Sequence, residues 1–413
     1  MADEGDIDNS EDASQISSIV HRRVGHISVP YKHFILVWGG FMGGHDDYEV
    51  YCSSEHVWVY NCISETWSVL VTKGYIPFPN SGSTAVILDD ALYIYGGVEE
   101  LTDDLWRYGC ELHCLDLKNL TWTTLVPNGN SPEGSDKAVG WTYNKKIYIF
   151  GGYGQCSRCM VNGYSFEVDP NNRLDKGWNN QLSIYDPSMN RWTTPKTGGV
   201  PPRPRAAHAA DVSGDKVYIF GGRLAEIRAN DMYVLDLKKL HWTQISLKDG
   251  SFEIPEGRSW HSFNFITENR AILFGGLSRN QIPCGDLWEC QIEDNQVTWN
   301  LQGTVPNDQT LVWHRTAVSN ATKELVIVGG VTCSPYRMKE ENHVGTLHVI
   351  PFTPPSLLSL SLQEIVNEGI IFHLLRKDCF LPKCLLDLIK NKFKVRNNKA
   401  VIYCKEHESV MKQ

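Results

Sequence analysis

The 413-residue chain contains no apolar run long enough to span a bilayer, and its start lacks the basic and apolar regions of a secretory signal. Both absences lead to the expectation of a soluble intracellular protein, placed in cytoplasm and nucleus. Positive charge is scarce too: 39 Lys and Arg stand against 48 Asp and Glu, for a formal net charge of −9. That balance argues against nucleic acid as a partner, because phosphate contacts need a basic face. Part of the acidity is local. The first fourteen residues, MADEGDIDNSEDAS, hold six acidic side chains and no Lys or Arg, so residues 1–20 read as a solvated, disordered tail. The twelve cysteines have no framework spacing, and reduced thiols are expected. Cys156 and Cys159 have metal-ligand spacing, yet no second Cys or His pair lies at a zinc-site distance. They read as a loop thiol pair, and neither metal nor cofactor is expected.

What the chain does have is a repeat. ILVWGG, LYIYGG, IYIFGG, VYIFGG, AILFGG and LVIVGG place the first glycine of a pair at Gly39, Gly96, Gly151, Gly221, Gly275 and Gly329. Five of the six are followed by a short strand-like run ending at Trp67, Trp122, Trp192, Trp242 or Trp299, each 29 to 33 residues before the next glycine pair. The spacing that varies is therefore the loop after Gly-Gly. β-branched and aromatic runs of this length, separated by turn residues, make four-stranded units that cannot bury both faces alone. Packed radially, they can. A period of about 50 residues with this pattern resembles the kelch repeat, which implies an all-β, six-bladed β-propeller over residues 21–352. The sixth unit lacks the Trp strand, and the N-terminal SQISSIV is the expected substitute that closes the ring.

In such a blade the loop after Gly-Gly shares one face with the residues that lead into the first strand. Those leads repeat as well: RVGH at 23–26, RAAH at 205–208 and RSWH at 258–261. Arg23, Arg205 and Arg258 read as structural, through a hydrogen bond between neighbouring blades, and His26, His208 and His261 as satisfied imidazoles. Arg223 and Arg228 in FGGRLAEIR differ, since no other loop after Gly-Gly carries such a pair. Two guanidiniums beside Ser259 form a fork suited to a carboxylate or a phosphate. Lys137 is expected at the same mouth, and Tyr153, Trp178 and Trp260 supply flat walls. These loops show no carboxylate pair and no Ser-His-Asp order, so a cationic, aromatic mouth points to anion binding and not to catalysis.

Past Phe352 the strand pattern gives way to helical spacing, with Leu358, Leu362 and Ile365 on one face and Pro382 at a first-turn position. Residues 353–413 are thus expected to form a short helical segment. Ser356, Leu357, Ser361 and Ile365 resemble an elongin-binding box, with Ser361 where Cys is usual. Leu381, Pro382, Leu385 and Ile389 resemble a cullin-2 box. RAAHA, FGGR with a second Arg five residues on, GRSWHS, GWN, SDK and FGGYG also occur in order. Together these features make the chain similar to the kelch-repeat substrate receptors of cullin-2 ubiquitin ligases. That resemblance implies elongin B/C and cullin-2 as partners and C-terminal peptides, especially those ending in Gly-Gly, as ligands. It implies that Arg223, Arg228 and Ser259 grip the terminal carboxylate, that Lys137 assists, and that Tyr153, Trp178 and Trp260 shape the pocket. Lys176 and Leu311 stand where that family tends to have Arg. Two other readings compete: a kelch scaffold without ligase function, and a small-molecule enzyme on a propeller.

Overall fold

The computed structural model describes residues 22–43, 49–102, 105–155, 163–171, 176–248 and 253–352. The acidic start, SQISSIV, Cys156 and Cys159, and the whole segment 353–413 with its expected helices and docking residues lie outside the described residues.

Each Gly-Gly ends the second strand of an antiparallel sheet. In the first blade Ile27–Tyr31, Phe34–Trp38, His56–Asn61 and Thr66–Val71 pair in chain order. Blades two to five repeat that order. The sixth shows three strands among the described residues, Arg315–Val318, Glu324–Val328 and His348–Pro351. The second strands read as unbroken apolar runs because neighbours cover both of their faces: all five residues of Phe34–Trp38 are buried, as are the last four of Lys216–Phe220. Innermost strands pack side by side around the ring, and Ile27–Tyr31 meets Arg315–Val318 to close it. They line a central channel of about 730 Å³.

The repeat has a direct physical cause at each blade junction. The second glycine of every pair donates its N–H to a carbonyl in the lead of the next blade. These bonds run from Gly40 to Asn80 (2.7 Å), Gly97 to Ser135 (2.8 Å), Gly152 to Arg205 (2.9 Å), Gly222 to Arg258 (2.8 Å), Gly276 to Leu311 (2.8 Å) and Gly330 to Arg23 (2.9 Å). The last of the six joins the final blade to the first. At Gly221, φ is +65° and an added Cβ would lie 2.7 Å from His261 Cε1 of the next blade, so a side chain there is excluded twice over. The aromatic residue before each of the first four pairs has a partner too. Trp122 packs 5.6 Å from Trp38, Trp192 5.6 Å from Tyr95, Trp242 5.1 Å from Phe150 and Trp299 5.2 Å from Phe220. Each pairing joins a fourth-strand Trp to the preceding blade.

The lead arginines are structural, but their side chains act within a blade and not between blades. Arg258 Nη1 donates to the Gly275 carbonyl at 3.1 Å, and Nη1 and Nη2 hold Asp286 at 2.6 and 2.7 Å. Arg205 repeats the arrangement on Gly221 and Asp231. The junction itself is made by the backbone carbonyl of the lead residue, which explains why Asn80, Ser135 and Leu311 serve equally there. Of the lead histidines, expected to be satisfied, His261 bonds across: its Nε2 lies 3.2 Å from the Phe220 carbonyl of the blade before, whereas the ring nitrogens of His26 and His208 are buried without a hydrogen-bond partner among the described residues. Burial, reinforced by Arg258 and His314, drives the pKa of His261 down to about 3, so the imidazole is neutral.

Candidate binding mouth

Six equivalent residues ring the channel where the leads enter the innermost strands: Gly25, Gly82, Lys137, Ala207, Trp260 and Trp313. All have left-handed backbone, with φ between +53° and +73°. Hydrogen bonds of 2.6–3.0 Å pass along them from the Gly82 N–H to Gly25, Lys137 to Gly82, Ala207 to Lys137, Trp260 to Ala207 and Trp313 to Trp260. The fold thereby aims Lys137, Trp260 and Trp313 at one place. Trp260 and Trp313 lie 5.9 Å apart, and Lys137 Nζ sits 5.2 Å from the Trp313 ring.

Above this ring stands the arginine pair. Immediately after Gly222 the chain forms a tight hairpin, Arg223–Leu224 against Ile227–Arg228, in which Arg223 and Arg228 are direct cross-strand partners. A bridge between Ala206 and Arg223 ties the hairpin to its own lead, and the Arg258 N–H bonds to the Ala229 carbonyl at 3.1 Å. Arg228 is buried, with Cζ 5.7 Å from the Trp260 ring. Burial, then the charge of Arg223, lowers its pKa to about 10, which leaves it cationic at neutral pH. Arg223 is half-buried: its Nε donates to the Ala225 carbonyl at 2.8 Å, and its Cζ lies 5.8 Å from the Trp178 ring. Trp178 and Tyr153 are register partners on neighbouring strands, with rings 5.1 Å apart, and they pack with Leu224 and Ala225 of the hairpin. Ser259 is fully buried one residue before Trp260.

Three polar atoms at this point are buried without a hydrogen-bond partner among the described residues: Arg228 Nε, Ser259 Oγ and Trp260 Nε1. Buried polar groups are rarely left unpaired, and these three, on adjacent segments of the mouth, suit a partner brought by a ligand.

Carboxylates also stand at the mouth that the sequence led one to expect as cationic and aromatic. Lys137 is ion-paired with the fully buried Asp136. Glu49 lies within electrostatic reach of Lys137 and Glu100; burial and Glu100 raise its carboxyl pKa while Lys137 opposes them. Arg223 and Arg228 of the fourth blade, by contrast, have no carboxylate at ion-pairing distance among the described residues. Lys176 is buried, with Nζ 4.5 and 4.7 Å from the Trp106 and Tyr108 rings. Leu311 occupies the lead position of the sixth blade and is buried in the core with Ile272 and Phe274, outside the mouth. Two mouth residues are missed by the sequence reading. Trp313 was legible, since LVWH repeats the spacing of RSWH. Tyr336, in the short turn Pro335–Arg337, contacts Arg223 Nη1 through its hydroxyl and comes from a stretch of the sixth loop after Gly-Gly that matches none of the other five.

Elsewhere, Glu99, Glu111 and His113 could between them hold a metal ion. Arg107 already sits among them, 2.7 Å from Glu99 and 3.3 Å from Glu111, and supplies the positive charge. Among the described residues no helix is long and apolar enough to cross a membrane.

Comparison with known proteins places this geometry in a family. A family model described as the KLHDC2/KLHL20/DRC7 Kelch-repeats domain matches residues 25–276 and 171–330. Kelch domain-containing protein 1 of Mus musculus is 32% identical over 390 residues, covering 92% of each chain. Kelch domain-containing protein 2 of Homo sapiens is 31% identical over 383 residues, 91% of each. Kelch domain-containing protein 3 of Mus musculus is 26% identical over 386 residues, covering 87% of this chain and 90% of the relative. Among solved structures, one described as the structure of YjhT aligns with a TM-score of 0.59 at 16% identity, over 80% of this chain and 95% of that one, which is a likeness of fold. With six glycine pairs closing a ring and the family model spanning nearly all of it, the chain belongs to the KLHDC2/KLHL20/DRC7 kelch-repeat family.

Proposed function

We propose that the chain is the substrate-recognition subunit of a cullin-2 RING ubiquitin ligase, which binds the free C-terminal ends of target proteins for ubiquitylation. The observation that carries this reading is the cross-strand pair Arg223 and Arg228 above Ser259, with donors left unpaired in a buried mouth. A carboxylate there gains charge-assisted hydrogen bonds and supplies the anion that two adjacent guanidiniums require. Trp178, Tyr153, Trp260 and Trp313 crowd the same space, so a terminus of small residues, Gly-Gly above all, fits where a Cβ would collide. The mouth holds an anion and performs no chemistry on it. Elongin B/C and cullin-2 dock on the segment after Phe352, and the complex works in cytoplasm and nucleus.

Two measurements test this. Peptides ending in Gly-Gly bind as free acids and lose most of their affinity as amides, about 2–5 kcal/mol, largely because the arginines are stranded. The double substitution Leu357→Ala and Pro382→Ala abolishes co-purification of elongin B/C and cullin-2 while the propeller stays folded. Acid-selective binding without recruitment of those partners by the unmutated chain would leave a kelch scaffold that reads C-termini.

A further inference from the structure

The loop that follows the sixth Gly-Gly reaches over the mouth. Its base is fixed by the Thr332 N–H to the Asn342 carbonyl at 3.0 Å and by the Gly43 N–H to His343 Nε2 at 3.2 Å. At its tip the turn Pro335–Arg337 is held by the Arg337 N–H to the Ser334 carbonyl at 2.9 Å, and it carries Tyr336. The Tyr336 ring lies 5.3 Å from Arg223 Cζ and edge-on to Trp260 at 5.7 Å, and its hydroxyl contacts Arg223 Nη1. Trp178 reaches the same guanidinium, at 5.8 Å, from the third blade. Blades three and six face each other across a six-membered ring, so these two side chains approach Arg223 from opposite sides of the mouth.

We infer that Tyr336 is a specificity-determining residue of the mouth, forming with Trp178 the pair of walls that limits the ligand's last two residues to small ones. The inference rests on the reading of the mouth as a binder of C-terminal peptides. Its second element is the phenol. The Tyr336 hydroxyl contacts Arg223 Nη1, the guanidinium edge that a carboxylate oxygen would take, so the hydroxyl holds the fork in place and an anion would displace it. Tyr336 is 51% exposed, so its hydroxyl can turn to water once displaced, at little cost to the fold. The ring and the hydroxyl therefore have separable tasks, exclusion and placeholding.

The test is calorimetric titration of the full chain with three ten-residue peptides that share their first eight residues and end in Gly-Gly, Ala-Ala or Val-Val, each as acid and amide. Tyr336→Ala removes the wall: the preference for Gly-Gly over Val-Val falls at least tenfold, mainly because Val-Val gains. Tyr336→Phe keeps the wall and removes the placeholder: the preference stays within twofold of the parent, and Gly-Gly affinity is equal or a few-fold higher. Melting curves of both variants coincide with the parent's. A proportional loss for all three peptides in Tyr336→Ala, with the preference unchanged, would assign Tyr336 a merely structural role and overturn the inference alone. Equal binding of acid and amide by the unmutated chain would overturn the C-terminal reading, and the inference with it.

Discussion

Arg258→Ala is a stringent test of how the propeller is held together, because the side chain is 0% exposed and fully engaged. Its Nε donates to the Glu256 carbonyl at 3.0 Å, and its Nη1 donates to Gly275 at the end of the second strand. The same guanidinium holds both oxygens of Asp286, which also accepts Trp288 Nε1 at 2.5 Å. Burial alone would raise the Asp286 pKa, but hydrogen bonds and charge from Arg258 outweigh it and keep the pKa below the ordinary value. Truncating Arg258 strands a carboxylate and two carbonyls. Breaking a buried pair from one side costs about 3–5 kcal/mol. The Asp286 side chain is 21% exposed, so water relieves part of that penalty and the lower end, about 3 kcal/mol, is expected. Asp286→Ala strands the guanidinium instead and costs a similar amount. The double variant falls well short of the sum, because the second truncation removes the group that the first one stranded. Urea unfolding of the four proteins, followed by tryptophan fluorescence and by circular dichroism, reads the cycle. Arg258→Ala within about 1 kcal/mol of the parent, or strict additivity in the double variant, would refute the clamp.

Arg205→Ala, in the equivalent position, destabilises the fold yet leaves peptide affinity nearly unchanged once the sample is folded. Arg223→Ala and Arg228→Ala do the reverse: each removes most of the affinity with melting unchanged, and the double adds little, because both serve one ligand group. Arg→Lys at either position rescues poorly in the same titration, since an ammonium lacks the planar fork. Acidification unfolds the propeller through its buried histidines. His261 and His314 are held down to about 3, chiefly by burial, so their contribution is complete above the unfolded value near 6.5. It is lost as pH falls from there toward 3, by up to about 1.4 kcal/mol per pH unit for each histidine. Urea midpoints that stay flat between pH 7 and pH 5 would contradict this. Gly221→Ala, which pushes a Cβ into His261 at a φ of +65°, lowers the urea midpoint by more than an ordinary surface Gly→Ala change.

What the sequence reveals and what it hides follows from where each interaction is made. The ring was legible because its junctions demand particular side chains, or none: glycine where His261 closes on Gly221, an aromatic residue where Trp242 meets Phe150, an arginine where Asp231 or Asp286 waits. The bond that joins one blade to the next was not legible, because a backbone carbonyl makes it and any residue can supply one. That is why the lead arginines look like a link between blades in the sequence and turn out to brace a single blade. The arginine pair was legible by contrast, as the one loop after Gly-Gly that carries two guanidiniums five residues apart, directly behind the glycines. Departure from a repeat is informative only where the repeat sets an expectation. Trp313 met that condition through LVWH. Tyr336 did not, since nothing in its stretch of the loop after the sixth Gly-Gly matches the other five loops, and it reaches Arg223 across 113 residues of chain. The same reasoning accounts for the acidic sector. Asp136 reads in sequence as one carboxylate among 48, and it becomes the partner of Lys137 only when the left-handed ring position turns that lysine back over its neighbour. A repeat thus announces the scaffold, which every blade must satisfy. The ligand site is built from the exceptions, and an exception in a loop without periodicity is visible only in three dimensions.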